Sequence, residues 1–390
     1  MTKARSEMHI GIDLTSLLPI TTGVDNYLIQ LVYSLNQIDH KTRFSLFINY
    51  EDSKKFSGEL NDNFSIIPIA VRGRMIRLLA QQFLLPILAI YLRLDVLHSP
   101  SFFMPLFRGT QRHLLTVHDM TMFSLPDCHT GFRRSWIFRA GVALSSKRSH
   151  LIIVASHFVK KEIVRLLPSI EPDRIRVIPM GIGSQFNPQM TDMVDTPPIC
   201  LEQFLPYILF VGNIEPRKNL KLLIEGYQRA IKDYGLKEHL LIVGNKDWDY
   251  HYILRLTKQD EIRKRIHFTG YVDDSTLTLL YKNARLFVYP SIEEGFGFPP
   301  LEAMACGIPT IATDTSSLRE NLRGAAILVP SDDPEALRNA IIKMLRNKKI
   351  RKHFRRKGFE RIKRFRWKET ALKTLACYEE LFKLSHQHKL

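Results

Sequence analysis

The sequence predicts an α/β protein built from two doubly wound parallel-sheet domains. Three observations carry this expectation. Short apolar runs rich in β-branched residues alternate with helical patterns through most of the 390 residues. Most of these runs lack a clean apolar–polar alternation, as expected of strands buried on both faces. The series breaks between Phe186 and Pro206, where NPQMTDMVDTPPICLEQFLP carries four prolines and little periodicity. At about 150 residues per domain the length suits two or three domains. Hydrophobic residues at 45% and charged residues at 24% exclude a disordered, collagen-like or repeat-only chain.

Taken in order, the first domain offers predicted strands at 8–13, 44–48, 96–98, 113–117, 151–154 and 176–178. The second offers 207–211, 240–243, 266–269, 286–289, 309–312 and 326–329. The segmentation is 1–188 for the first domain, 189–205 for a linker, 206–365 for the second domain and 366–390 for a final helix. Two such domains facing each other enclose a central cleft at the strand C-termini, where ligands bind in open α/β sheets. The longest apolar stretch, Leu78–Leu92, is interrupted by Gln81, Gln82 and Pro86. It is shorter than the ~20 residues of a bilayer span, and reads as a core or interfacial helix.

The most informative stretch is Ser291–Pro309, SIEEGFGFPPLEAMACGIP, directly after a predicted strand. Gly295 and Gly297 permit a tight turn, Pro299 and Pro300 suit a first helical turn, and Gly307 suits its end. The unit presents N–H groups and a positive dipole end to a phosphate or hydroxyl. Glu294 and Glu302 can both accept bonds from sugar hydroxyls. A glutamate in the first turn also complements the helix dipole without any ligand, and the residues alone leave both readings open. In FVGNIEPRKNL, Arg217 and Lys218 stand at a strand-to-helix junction, suited to a diphosphate or simply solvated. In LLTVHDM, His118 ends a strand as a base, a phosphate donor or a structural histidine. Gly23, in PITTGVDNY, could let backbone amides approach a ligand.

In this order the pieces resemble the GT-B glycosyltransferases of family 4, the large retaining group that uses nucleotide sugars. The E-x7-E pattern is Glu294 and Glu302, and PRKN is Pro216–Asn219. DVLHSP, VHD, VIPMGI and HFTGYV also fit, and RFRWKETALKTLACYEEL resembles the helix that crosses back to the N-terminal domain. The resemblance implies an acceptor-binding first domain and a donor-binding second one. It implies that Lys218, helped by Arg217, holds the donor diphosphate, and that Glu294 binds the transferred sugar. Glu302 would bind the ribose, and the amides of Phe296 and Gly297 would face the sugar or diphosphate. His118 would lie beside the sugar and diphosphate, Gly23 would shape the diphosphate end, and Val272 would meet the base. One departure is Asn213, where many members carry an arginine.

The resemblance further implies front-face retaining transfer, with no cofactor beyond the donor and no metal. Asp247-Trp248-Asp249 matches the metal-binding D-x-D of transferases of another fold, but here it reads as a loop or helix cap. The EPRKNL form resembles that of bacterial polysaccharide mannosyltransferases, a resemblance that implies GDP-mannose, with UDP-sugars as the alternative donors. The acceptor would be a glycan or a lipid-linked glycan.

Charge sharpens the rival reading. The formal net charge is +17, which raises nucleic acid or an anionic membrane as partners. Yet residues 341–390 hold 17 Lys/Arg against 4 Glu, so the rest of the chain is nearly balanced. A basic nucleic-acid-binding protein is therefore the alternative from another class, without an RRM, zinc-finger or KH signature to support it. Arg72, Arg74 and Arg77 precede the apolar run, which suits an anionic membrane surface and a lipid-linked acceptor. Four widely spaced cysteines and the absence of a signal peptide pattern point to the cytoplasm, with possible placement on the inner face of the membrane.

Overall fold

The computed structural model describes residues 7–18, 23–56, 60–107, 109–186, 202–245, 250–257 and 260–387. Asp247, Trp248, Asp249, Cys200, His388 and most of the expected linker lie outside the described residues, as does the side chain of His386.

The chain forms two compact units. The first contains β1 (His9–Asp13), β2 (Arg43–Asn49), β3 (Phe64–Ile69), β4 (Val96–Ser99), β5 (Arg112–Thr116), β6 (Leu151–Val154) and β7 (Ile175–Val177). They pair in the order β3-β2-β1-β4-β5-β6-β7, parallel throughout. The second contains β8 (Tyr207–Val211), β9 (His239–Val243), β10 (Ile266–Gly270), β11 (Leu286–Tyr289), β12 (Thr310–Thr313) and β13 (Ile327–Val329). Their order is β10-β9-β8-β11-β12-β13, again parallel. Each sheet reverses its strand order once, at β1/β4 and at β8/β11, the signature of double winding. The central strands are sealed on both faces: Ile10, Ile12, Ile208, Leu209, Phe287 and Val288 are fully buried, which is why their sequences do not alternate.

The structure adds one strand to those expected. β3 reads FSIIPI, and its proline argues against a strand in the sequence. It is tolerated because β3 pairs only with β2, at the edge of the sheet.

The segmentation also needs correction. The first unit runs to Gly181 and resumes at Trp367, while the second is Ile182–Arg366. The expected boundary at 188 therefore assigns Ile182–Phe186 to the wrong unit. The Ile182 N–H donates to Phe365 O, and Phe186 sits edge-on to Tyr281, both within the second unit.

The helix Trp367–Gln387 completes the first unit. Its Tyr378 hydroxyl meets His98 Nδ1 at 2.8 Å, Thr370 donates to Pro179 O at 2.8 Å, and Arg176 pairs with Glu380 at 2.6 Å. A Cβ on Gly181 would collide with the Trp367 backbone, so only glycine admits this approach. His98, from the DVLHSP motif, is structural here. Its Nε2 reaches Thr116 Oγ1 at 2.9 Å, and burial lowers its pKa to about 3, so it stays neutral.

Candidate donor site

The second switch point lies between β8 and β11, so the loops that leave these adjacent strands meet although they are far apart in sequence. The first loop turns through Pro216–Lys218 into the helix Leu220–Tyr234. The second leads through Gly295 and Gly297 into the helix Phe298–Ala305. They are stitched together by backbone: Ile292 N–H donates to Arg217 O at 2.8 Å, and the Ser291 hydroxyl lies 3.1 Å from the same oxygen.

At this junction one carboxylate holds two cations. Glu294 Oε1 accepts from Lys218 Nζ at 2.6 Å, and Glu294 Oε2 lies 2.8 Å from Arg217 Nη1. Oε1 also accepts from the hydroxyls of Ser291 at 2.7 Å and Tyr289 at 2.9 Å. Arg217 Nη2 reaches Glu215 Oε1 at 2.6 Å. Burial alone would raise the Glu294 pKa, but Arg217, Lys218 and the hydrogen bonds outweigh it and hold it at about 2. Lys218 moves down: burial and the neighbouring Arg217 outweigh Glu294 and Glu215. The ionised carboxylate is thus the form this arrangement favours, and Glu294 is the largest of the influences that oppose the fall in Lys218.

The loop is fixed behind Glu294. Its N–H donates to Ser316 Oγ at 2.9 Å, and its carbonyl accepts from the Ser317 hydroxyl at 2.8 Å. Gly297 adopts φ +86°, a conformation that favours glycine, and a Cβ there would lie 2.6 Å from Leu318 Cδ2 and push that side chain aside. The Phe296 ring is packed against Phe298 and Phe365, and its carbonyl accepts from Asn321.

Glu302 lies on the helix Phe298–Ala305 and is separate from the ion-pair cluster. Its Oε2 accepts from Tyr281 OH at 3.0 Å. Burial raises its pKa to about 7, with the Tyr281 bond opposing and the charge of Asp274 assisting. Val272 follows β10, two strands from β8. Asn213 is exposed on the β8 loop and accepts from Asn245 at 3.4 Å, so no cation stands at that position.

His118 and Gly23 belong to the first unit. His118 follows β5 and is buried, with Tyr27 and Phe102 edge-on to its ring at 5.2 and 5.6 Å. Nε2 donates to Pro100 O at 2.8 Å, which fixes the tautomer and leaves the lone pair on Nδ1. Burial holds its pKa below the usual histidine value, against the pull of that carbonyl and of Asp119. Gly23 opens the helix Gly23–Ile38 that carries Tyr27.

Sequence reading missed Tyr289, Ser291, Glu215 and Tyr281. Each lies beside a residue it singled out, but a strand-end tyrosine and a loop serine have no motif of their own.

Two doubly wound parallel sheets, with cations and a carboxylate gathered at the second switch point, make a two-domain α/β protein with a candidate anion site. Comparison with known proteins agrees. The family model for Glycosyltransferase Family 4 matches residues 21–186, and that for Glycosyl transferases group 1 matches residues 202–361. The chain belongs to the GT-B glycosyltransferases of family 4. It is 30% identical to the O-antigen chain mannosyltransferase B of Escherichia coli over 293 residues, covering 73% of this chain and 74% of that protein. It is 29% identical over 227 residues to an O-antigen chain mannosyltransferase of Salmonella typhimurium, covering 58% and 59%. In fold it matches a sucrose-phosphate synthase from Thermosynechococcus elongatus, with TM-score 0.75 at 21% identity over 97% of this chain and 100% of that one. It likewise matches WaaG, a glycosyltransferase involved in lipopolysaccharide biosynthesis, with TM-score 0.71 at 16% identity over 94% and 98%.

Proposed function

We propose that the protein is a retaining mannosyltransferase that moves mannose from GDP-mannose to a glycan or lipid-linked acceptor in cell-surface polysaccharide synthesis. The carrying observation is the Lys218–Glu294–Arg217 cluster at the β8/β11 switch point. The mannosyltransferase names of the relatives support the choice of sugar. Lys218 and Arg217 meet the donor diphosphate, and Glu294 turns from the cations toward hydroxyls of the sugar. Phe296 and Gly297 supply amides beside it, Glu302 takes the ribose, and Val272 lies toward the base. In the first unit, Gly23 shapes the diphosphate end and His118 serves the reacting sugar.

The C1–O bond to the phosphate breaks as negative charge grows on the leaving diphosphate, where fixed cations stabilise it. The acceptor oxygen bonds C1 on the same face, and its proton passes to the departing phosphate oxygen. No resident metal or other cofactor is assigned. The enzyme works in the cytoplasm, peripherally on the inner face of the membrane, and nucleic acid is not its partner.

A thermal-shift screen of nucleotide sugars tests the donor, because a ligand of the native state raises the melting point. GDP-mannose should shift it most, and a larger shift with a UDP-sugar overturns the donor assignment. Lys218→Ala should stay folded and lose transfer by about 100-fold or more. Near-normal transfer by that variant refutes the site.

A further inference from the structure

The helix Arg74–Tyr91 carries large apolar side chains on a buried side and on an exposed one. One face buries Leu85, Pro86 and Ala89 in the first unit. The other exposes Met75, Leu79, Phe83, Ile87 and Tyr91, with exposures of 67, 55, 67, 63 and 79%. A stripe of large apolar side chains left exposed on a helix is a surface for a partner or for lipid. The spacing of this stripe is four residues throughout. In a regular α-helix each such step would swing the stripe by about 40°. The π-turn at Ala80–Leu84 takes more residues per turn and offsets part of that drift, so the stripe stays on one side.

The same turn anchors the helix by polar bonds. Gln81 is buried and donates to Asp13 Oδ2 at 2.6 Å, at the end of β1. Gln82 donates to Met104 O at 3.1 Å and accepts from Leu106 N–H at 2.9 Å. Met104 N–H in turn donates to Ser145 Oγ of the helix Trp136–Arg148, at 3.3 Å. That second helix exposes Trp136 and Ile137, and Phe107 stands exposed on the segment between the two helices. A helix pinned by Gln81 to the sheet cannot leave to span a bilayer, although its length and composition would allow it. It can only lie along a surface.

The charges on the two segments that carry these apolar groups are basic. Residues 72–94 contain four arginines and no acidic residue, and residues 128–148 contain five basic residues and none acidic. Arg74 and Arg133 are exposed over the rings of Phe132 and Phe102. Arg72 and Arg134 have exposed partners, Glu51 and Asp127, which screen them only weakly. Apolar side chains at headgroup depth, ringed by arginine, are what an anionic bilayer binds.

We infer that the helix Arg74–Tyr91, with Phe107, Trp136 and Ile137 beside it, docks flat on an anionic phospholipid surface. Because Gln81 joins that helix to Asp13 at the carboxyl edge of the first sheet, docking sets that edge at the level of the headgroups. An acceptor carried on a lipid would then be met in the plane of the membrane; this last step rests on the transferase reading above.

The test is flotation of the full chain with vesicles of phosphatidylcholine alone or mixed with phosphatidylglycerol, with no donor or acceptor present. The protein should float with the mixed vesicles, release in high salt, and ignore phosphatidylcholine alone. Phe83→Asp with Ile87→Asp should weaken partition by about 100-fold while the donor-induced thermal shift is unchanged. Should that variant not fold, Met75→Ser with Tyr91→Ser, at the two ends of the stripe, should still cost about 10-fold. Absence of flotation, or variants that float like the parent, overturns the inference. So does a parent dimer that the variants turn into a monomer, which would make a second copy the occupant. Failure to float with the donor shift intact leaves the transferase reading standing, and loss of the donor shift with flotation intact does the reverse.

Discussion

Replacing Glu294 with Gln removes the charge that holds Lys218 and Arg217 while keeping the shape of the side chain. The structure sets the magnitude. The folded pKa of about 2 lies below the ordinary 4.5 because the two cations and the hydroxyl bonds favour the ionised form despite burial. That difference corresponds to about 3 kcal/mol of folding stability at neutral pH. It is comparable with the cost of breaking a buried ion pair, about 3–5 kcal/mol. The group is depressed, so its contribution is full above pH 4.5 and fades as pH falls through about 2. The Glu294→Gln variant should therefore lose about 3 kcal/mol at pH 7 and only about 1 kcal/mol at pH 3. Amide exchange at Ile292, whose N–H bonds the Arg217 carbonyl, reports this region directly. Global urea unfolding followed by circular dichroism gives the companion value. A nucleoside diphosphate, which needs only the cations, should bind the variant at least as well as the parent, while transfer is lost. An unchanged exchange rate at pH 7, or an equal loss at both pH values, would refute the idea that one carboxylate organises two cations here.

Two further outcomes follow from the neighbouring residues. Glu302 is raised to about 7, so the folded protein holds a proton that the unfolded chain releases near 4.5, and stability falls as pH rises between those values. Glu302→Gln should then be more stable than the parent by about 3 kcal/mol at pH 8 and equal to it at pH 4, measured by urea unfolding; equality at both would refute the assignment. Gly297→Ala forces a side chain into φ +86° and against Leu318. It should cost about 1–2 kcal/mol and lower transfer by about 10-fold through the displaced loop, read by thermal melting and donor turnover.

Much of this fold was legible because its strands are buried on both faces and leave uninterrupted apolar runs. β3 escaped because Pro68 speaks against a strand, and edge position is a property of the sheet, not of the segment. The boundary at Gly181 escaped because the prolines that mark a break in pattern begin several residues later. At the site, the glycine turn and its helix could be read locally. The pairing of Lys218 with Glu294 could not, since 76 residues separate them and only the adjacency of β8 and β11 brings them together. Tyr289 and Ser291 were invisible for the same reason: their value lies in which oxygen they reach. His98 shows the converse, a histidine in a family motif whose nitrogens serve a tyrosine and a threonine.

The closing helix has a consequence for the newborn chain. A ribosome makes the first unit as far as Gly181, then all of Ile182–Arg366, and only then the helix that seals the first sheet. At about 5–20 residues per second, the interval lasts roughly ten to forty seconds. During it, His98 and the fully buried face that later receives Tyr378 and Leu381 have no cover from their own chain. The older half must therefore wait, incomplete, for the younger half to be finished, and a chain released early would carry a completed second unit and an unsealed first one.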